Sequence, residues 1–236
     1  MLLHINIWQC DIWPHMIRIR RNSQILTTHT RLVGETLEMS LSTVLEQYAP
    51  AIPWRDAVAF YLDTQEITFL VQPWQDGIAS PTELRRLAHY RVAECFSQNA
   101  HPDVDQILQL EAYAWQRTAL VASLQQRCWQ TLIAVARRLR LRFSGVITPF
   151  QLLLQPYKKA LPEMALFVCL SQQHTRIAIR RENNWLDACT LNLPNPTRTA
   201  KLEIISQLSG MKNCPCYLLD MPEDKPIITH LSGLHE

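Results

Sequence analysis

A ten-residue stretch occurs twice in this chain, and it constrains the fold more than any other feature. Residues 17–26 read Ile-Arg-Ile-Arg-Arg-Asn-Ser-Gln-Ile-Leu, and residues 177–186 read Ile-Ala-Ile-Arg-Arg-Glu-Asn-Asn-Trp-Leu. Five of the ten positions are identical, at a constant offset of 160. In both copies alternate isoleucines (Ile17 and Ile19; Ile177 and Ile179) precede a polar cluster, and period-two alternation puts them on one buried face of a strand. Asn22-Ser23 and Asn183-Asn184 are residue types that tolerate the positive φ of tight hairpin turns. The copies therefore read as equivalent β-hairpins in two related halves. Short Ile/Arg strands are common enough to match by chance, so the flanking elements have to decide.

Their order repeats. Leu3, Ile5 and Ile7 alternate with His4, Asn6 and Trp8 as a first strand, followed by strands at Met16–Arg20 and 25–32. A helix over 36–49 carries Leu37, Leu41, Val44, Leu45 and Tyr48 on one face, and Pro50 and Pro53 stop it. Ala57–Leu62 is a continuous apolar run, as expected of a strand covered on both faces. After Pro162 the same order returns: strands at 166–170, 176–180 and 185–193, a helix at 199–208 and a strand at 217–219. Between the halves lie a strand at 67–71, a helix begun by Ser80-Pro81-Thr82-Glu83, strands at 104–113 and 118–124, and a helix at 125–140. A strand at 143–147 and a helix from Pro149 to about Ala160 complete that region.

This order predicts an α/β chain of two lobes, 1–161 with an inserted strand-helix segment and a shortened 162–236. Each lobe opens with a three-stranded antiparallel meander followed by helix and strand. Such a tandem duplication resembles the actin-like (ribonuclease H-like) fold. Ala57–Leu62, then Ile67-Thr68-Phe69-Leu70-Val71-Gln72-Pro73-Trp74 before a helix, is similar to part of a bacterial assembly-platform family. So are the strand at 118–124, the helix at 125–140 and the turn into Phe143–Pro149. That family comprises the cytoplasmic domain of the type II secretion L protein and the type IV pilus M protein.

The departures from the pattern matter as much as the likeness. Nucleotide-binding actin-like proteins carry an acidic residue and glycines in the first hairpin turn of each half, where backbone amides approach phosphate. Here the first turn is read as Gln9-Cys10-Asp11-Ile12-Trp13-Pro14, with one acidic residue and no glycine, and the second as Ser171-Gln172-Gln173-His174, with neither. A glycine-rich adenine-binding segment is also missing, among only five glycines in all. The resemblance thus implies a degenerate member that has lost ATP binding: a non-catalytic scaffold with no cofactor, catalytic residue or metal site. Its implied partners are components of a pilus or secretion inner-membrane complex, with a homodimer compatible. A divergent nucleotide-binding ATPase or kinase is the alternative.

Other chemistry finds little support. No phosphate loop, nucleophile elbow or His-Glu-x-x-His pair is present. Cys214-Pro-Cys216 is shorter than the usual zinc pair and has no second pair, so a buried strand edge is the expectation. His89, Cys95 and His101 fall on different helix faces or beyond the helix, and read as satisfied or exposed groups rather than ligands. Arg137, Arg138, Arg140 and Arg142 have two readings: cations complementing a helix C-terminus, or a docking site for an acidic segment or anionic lipid. Trp8, Trp54, Trp74, Trp115 and Trp129 are equally compatible with a core or an interface.

Composition bounds the rest. With 47% apolar and 19% charged residues the chain is globular rather than disordered. A net charge of +2 gives no case for nucleic acid. Seven scattered cysteines suit a reducing compartment. Neither a secretory pattern nor a membrane-length apolar run is found, so the expected place is the cytoplasm, peripheral to the inner membrane through partners.

Overall fold

The duplicated stretch is realised as the second hairpin of two sheets built alike. The computed structural model describes residues 7–22, 24–48, 52, 54–97 (94–97 as backbone), 105–171, 174–193, 197–211, 214–220 and 227–231. In chain order the elements are β1 (Ile7–Ile12), β2 (Met16–Arg21), β3 (Gln24–Thr30), α1 (Leu37–Glu46), β4 (Ala57–Leu62) and β5 (Ile67–Gln72). Then come α2 (Pro81–Ser97), β6 (Gln106–Ala112), β7 (Ala119–Gln125), α3 (Gln126–Arg138), β8 (Arg142–Ile147) and α4 (Pro149–Leu154) with a 3-10 turn at Gln155–Tyr157. The last part holds β9 (Ala165–Leu170), β10 (Thr175–Arg181), β11 (Asn184–Leu191), α5 (Arg198–Ser209), β12 (Cys216–Asp220) and β13 (Ile227–Leu231).

One sheet runs β3-β2-β1-β4-β8 and the other β11-β10-β9-β12-β13. In each, an antiparallel meander is extended by a strand parallel to the first. Ile12 pairs with Leu62 and Leu170 with Asp220, fifty residues on in both cases. The repeat also reaches a local irregularity. Ile19 pairs with Thr27 but Arg20 with Ile25, which leaves Leu26 as an extra residue. Ile179 pairs with Asp187 but Arg180 with Trp185, which leaves Leu186 extra. Each is a β-bulge, a one-residue insertion that kinks and twists its strand. The chain is thus a structural duplication down to its bulges.

The turn beside each bulge has two residues. In the second copy they are Glu182 (φ 51) and Asn183 (φ 65), both left-handed as a type I′ turn requires. Asn184 already belongs to β11, so the turn sits one residue earlier than the sequence predicts. In the first copy Asn22 has φ 49, while Ser23 lies outside the described residues.

Two compact units divide the chain. The first comprises Met1–Ile67, Val104–Ile107 and Leu124–Thr148, and the second Thr68–Asp103, Leu108–Ser123 and Pro149–Glu236. This division differs from the expected boundary at 161/162. Within the second unit the inserted strands and α2 pack on one another, and α4 packs on β9 and β12. Leu84, Ala88 and Val92 of α2 meet Leu108, Ala119 and Val121 of the sheet ordered β5-β7-β6. Phe69 of β5 meets Phe150 of α4 edge to face, with centroids 4.7 Å apart.

In the first unit one sheet face is apolar, with Cys10, Ile12, Ile17, Ile19 and Phe60 fully buried. Helices α1 and α3 pack beside that sheet and each other, burying Leu41, Val44 and Leu45, and Leu132, Val135 and Ala136. In the second unit α5 covers the face carrying Leu166, Val168, Ile177 and Leu218. Aromatic residues cover the other face: Phe167 lies 5.1 Å from Tyr217 and 5.3 Å from Trp185. The interiors of β4 and β9 are buried throughout, as an apolar run shielded on both faces demands.

Some local expectations need correction. The predicted α4 helix to Ala160 ends at Leu154, because Pro156 lacks the N–H that an α-helix needs and disfavours helical geometry before it. Strand β13 is an element that the sequence pattern did not reveal. Leu3 and Ile5 of the expected first strand lie outside the described residues, and the described strand starts with Ile7 exposed and Trp8 buried. The inward phase is therefore that of Trp8, Cys10 and Ile12.

Candidate functional site

The first hairpin is where an actin-like nucleotide site would present its acidic residue, and here the structure corrects the sequence reading. Gln9–Ile12 are not turn residues but the body of β1. The turn is narrower: the Trp13 N–H donates to the Met16 carbonyl at 2.9 Å, leaving only Pro14 and His15 between. Pro14 has no amide to offer, and its carbonyl accepts from Arg31 Nη1 at 3.2 Å. A phosphate-binding concavity needs successive free N–H groups. The turn between β1 and β2 does not supply them.

Asp11 is fully buried on the sheet face opposite the isoleucines. Arg18, directly across on β2, donates from Nε to Oδ2 at 3.1 Å. Arg20, its diagonal neighbour, donates from Nη2 to Oδ1 at 2.8 Å, and Gln9 Nε2 donates to the same oxygen at 3.1 Å. Cross-strand opposite charges attract, and burial strengthens each bond because little water competes. The Arg18 guanidinium also lies over the Trp13 ring, 4.8 Å from its centroid. Both carboxylate oxygens thus serve the protein's own arginines.

The second hairpin is closed in the same way, the Ser171 N–H donating to the His174 carbonyl at 3.0 Å. Gln172 and Gln173 lie outside the described residues. Lys201 Nζ, from the first turn of α5, donates to the Ser171 carbonyl at 2.9 Å. His174 Nε2 is 2.6 Å from Arg176 Nη1. A guanidinium is only a donor, so that ring nitrogen accepts and is unprotonated. Burial, reinforced by the nearby Lys201 ammonium, holds the His174 pKa below its ordinary value, in keeping with that neutral form.

The arginine cluster is divided by the structure. Arg137 and Arg138 occupy the last turn of α3, where they complement the dipole as one reading expects. Arg138 also reaches Glu46 at 3.1 Å and Glu38 at 3.9 Å on α1. Arg142 Nη2 donates to the Arg55 carbonyl at 3.0 Å. Arg140 stands in a left-handed conformation (φ 54) just past the helix, and its carbonyl accepts from the Trp54 N–H. The side chains of all four are exposed.

The remaining candidates also find places. Cys214 and Cys216 are buried in the apolar core under α5, and burial pushes the Cys216 thiol up to about 12. His89 is exposed on α2, while the Cys95 side chain and His101 lie outside what is described. The tryptophans are sorted in both directions: Trp8 is buried and Trp74 and Trp129 partly so, whereas Trp54 and Trp115 are exposed. The sequence reading missed Arg18, Arg20 and Lys201. For Arg18 and Arg20 the one sequence signal is a charge at alternate positions of a strand whose other face is apolar; Lys201, on α5, has none.

Two meander sheets duplicated in tandem, each prolonged by a helix and a parallel strand, define an actin-like fold. Among solved structures, a Bacteroides thetaiotaomicron protein with actin-like ATPase fold and unknown function aligns over 93% of this chain and 83% of its own, at TM-score 0.54 and 9% identity. A chain of the PilM–PilN type IV pilus biogenesis complex aligns over 88% of this chain and 66% of its own, at TM-score 0.51 and 11% identity. The cytoplasmic domain of EpsL, an inner-membrane component of the Vibrio cholerae type II secretion system, aligns over 86% and 74%, at 0.49 and 9%. At these identities the likeness is one of fold. No protein-family model and no curated protein matches the sequence.

Proposed function

We propose that this chain is a non-catalytic scaffold of a type IV pilus or type II secretion-like assembly platform, working at the inner membrane from the cytoplasmic side. The observation that carries the reading is the engagement of Asp11 by Arg18 and Arg20. An acidic residue held by two guanidinium groups is poorly placed to orient a metal ion or a water beside a triphosphate. The short turn with Pro14 points the same way. The fold likeness to a chain of the PilM–PilN complex supports the choice of system. By that analogy the partner is a cytoplasmic segment of a membrane protein. None of the described helices is long and apolar enough to cross a membrane, so on this reading such a partner supplies the link.

The test has two measurements on the purified protein. Calorimetry with magnesium ATP at millimolar concentration is expected to give no saturable heat and no rise in melting temperature. Titration with purified cytoplasmic segments of the pilus or secretion membrane proteins of the same organism is expected to show one that binds with fixed stoichiometry. Saturable ATP binding without any such partner would overturn the scaffold reading in favour of a divergent ATPase or kinase.

A further inference from the structure

One end of the first unit gathers exposed arginines and exposed large apolar side chains. It is the end where the parallel strands β1, β4 and β8 begin: Ile7 pairs with Ala57, and Ala57 with Arg142. The turn after α3 arrives at the same place, since the Arg142 N–H donates to the Asp56 carbonyl and the Trp54 N–H to that of Arg140. Trp54 is 49% exposed, Ile52 53% and Ile7 55%. The backbone of Arg140 and Arg142 lies at the same end, with Arg137 one turn back in α3, and all three side chains are exposed.

The acidic groups at this end do not cancel that charge. Asp56 is buried and accepts the Trp8 indole N–H at 3.0 Å, and Glu46 is held by Arg138. The chain as a whole carries only +2, so the positive charge here is a local concentration.

We propose that this end is a docking surface for an anionic lipid bilayer. Three apolar side chains from two separate segments stand among cations, and a fluid bilayer can close around each of them singly. Tryptophan is enriched at the membrane–water interface because its ring is apolar with one polar edge. Arginine lays its stem along apolar surface and keeps its head at the phosphate level, where the planar fork matches phosphate oxygens. The arginines supply electrostatic attraction, and Trp54, Ile52 and Ile7 supply shallow insertion. This inference does not rest on the scaffold reading, and either can fail alone.

The experiment is sedimentation of the full chain with vesicles of phosphatidylcholine alone and of phosphatidylcholine with phosphatidylglycerol. Binding is expected only to the second and weakens as salt rises. Arg137→Gln combined with Arg140→Gln is expected to lower the partition coefficient by about 25-fold, from roughly fivefold for each cation near an anionic surface. Trp54→Ala lowers it further. Arg137→Lys with Arg140→Lys keeps the charge and remains within about twofold of the parent, which separates lost charge from lost folding. Equal binding to neutral vesicles, no binding to anionic ones, or an unaltered partition of the glutamine variant would each overturn the proposal. So would tighter binding of a soluble acidic peptide than of the vesicles, which would make the surface a protein-docking site.

Discussion

Leu26 and Leu186 are the same extra residue in two copies of one β-bulge, 160 positions apart in the sequence. The ladder on either side of each leucine is regular, so the bulge residue is an insertion and not a member of the pairing. Deleting Leu186 should let Trp185 and Asp187 keep their partners Arg180 and Ile179 and their faces of the sheet. We expect that deletion to fold, with a loss of about 1–2 kcal/mol. Deleting the paired Ala188 instead turns every later side chain of β11 to the wrong face. Urea unfolding of the two deletions should give a cooperative transition for the first and none for the second.

Removing the charge of Asp11 leaves two buried guanidinium groups without the carboxylate that both address. Asp11→Asn should cost about 3–5 kcal/mol, the range for breaking a buried ion pair from one side. Gln9→Ala, which removes only a bond to the same oxygen, should cost about 1 kcal/mol. Denaturant midpoints at pH 7 distinguish these, and equal small losses would show that the arginines relax onto other acceptors.

His174 predicts a pH dependence of definite sign. Its folded pKa is lowered by burial, so below its unfolded value of about 6.5 the unfolded chain binds the proton more readily. Stability from this group is complete above pH 6.5 and declines as pH falls toward the folded pKa. Unfolding midpoints measured from pH 8 to pH 5 should fall across the lower half of that range. The slope there should flatten in His174→Gln.

The cysteines should differ in reactivity. Burial raises the thiol pKa of Cys10 and Cys169 well above the ordinary value, and that of Cys128 to about 12. Cys189 is only half-buried, with a smaller upward shift. Thiolate is the nucleophile, so iodoacetamide at pH 8 should label Cys189 before Cys10, Cys128 and Cys169. Mass spectrometry of the native protein gives the order, and urea should abolish it.

Much of the architecture is legible in the sequence because strand and helix signals act locally. Ser80-Pro81-Thr82-Glu83 predicts the start of α2, and the Glu83 N–H indeed donates to Ser80 Oγ at 3.2 Å while its carboxylate accepts the Ala79 N–H. Ile17 and Ile19 are buried as their alternation requires. What the sequence hides depends on register. Nothing local says that Asp11 faces Arg18, since that follows from a three-residue connection, 13–15, and not a longer one. No local rule separates Trp8 from Trp54, yet the first donates to a buried carboxylate and the second is half exposed. Pro156 and Glu182 are the opposite case, where a local rule was available: proline ends the helix, and the two residues between paired Arg181 and Asn184 form the turn.

The first unit is assembled from three separate pieces of chain, with most of residues 68–123 belonging to the second. A ribosome making this protein releases β1 to β4 early but withholds β8, the strand that completes their sheet, until residues 142–147 have emerged. The apolar edge of β4 must wait through that interval. Neither unit corresponds to a single continuous fragment, and an expression fragment cut at residue 161 would carry α4 without β9 and β12, the strands it packs on. The two sheets repeat one pattern along the sequence, but the units that hold them are interleaved in the chain.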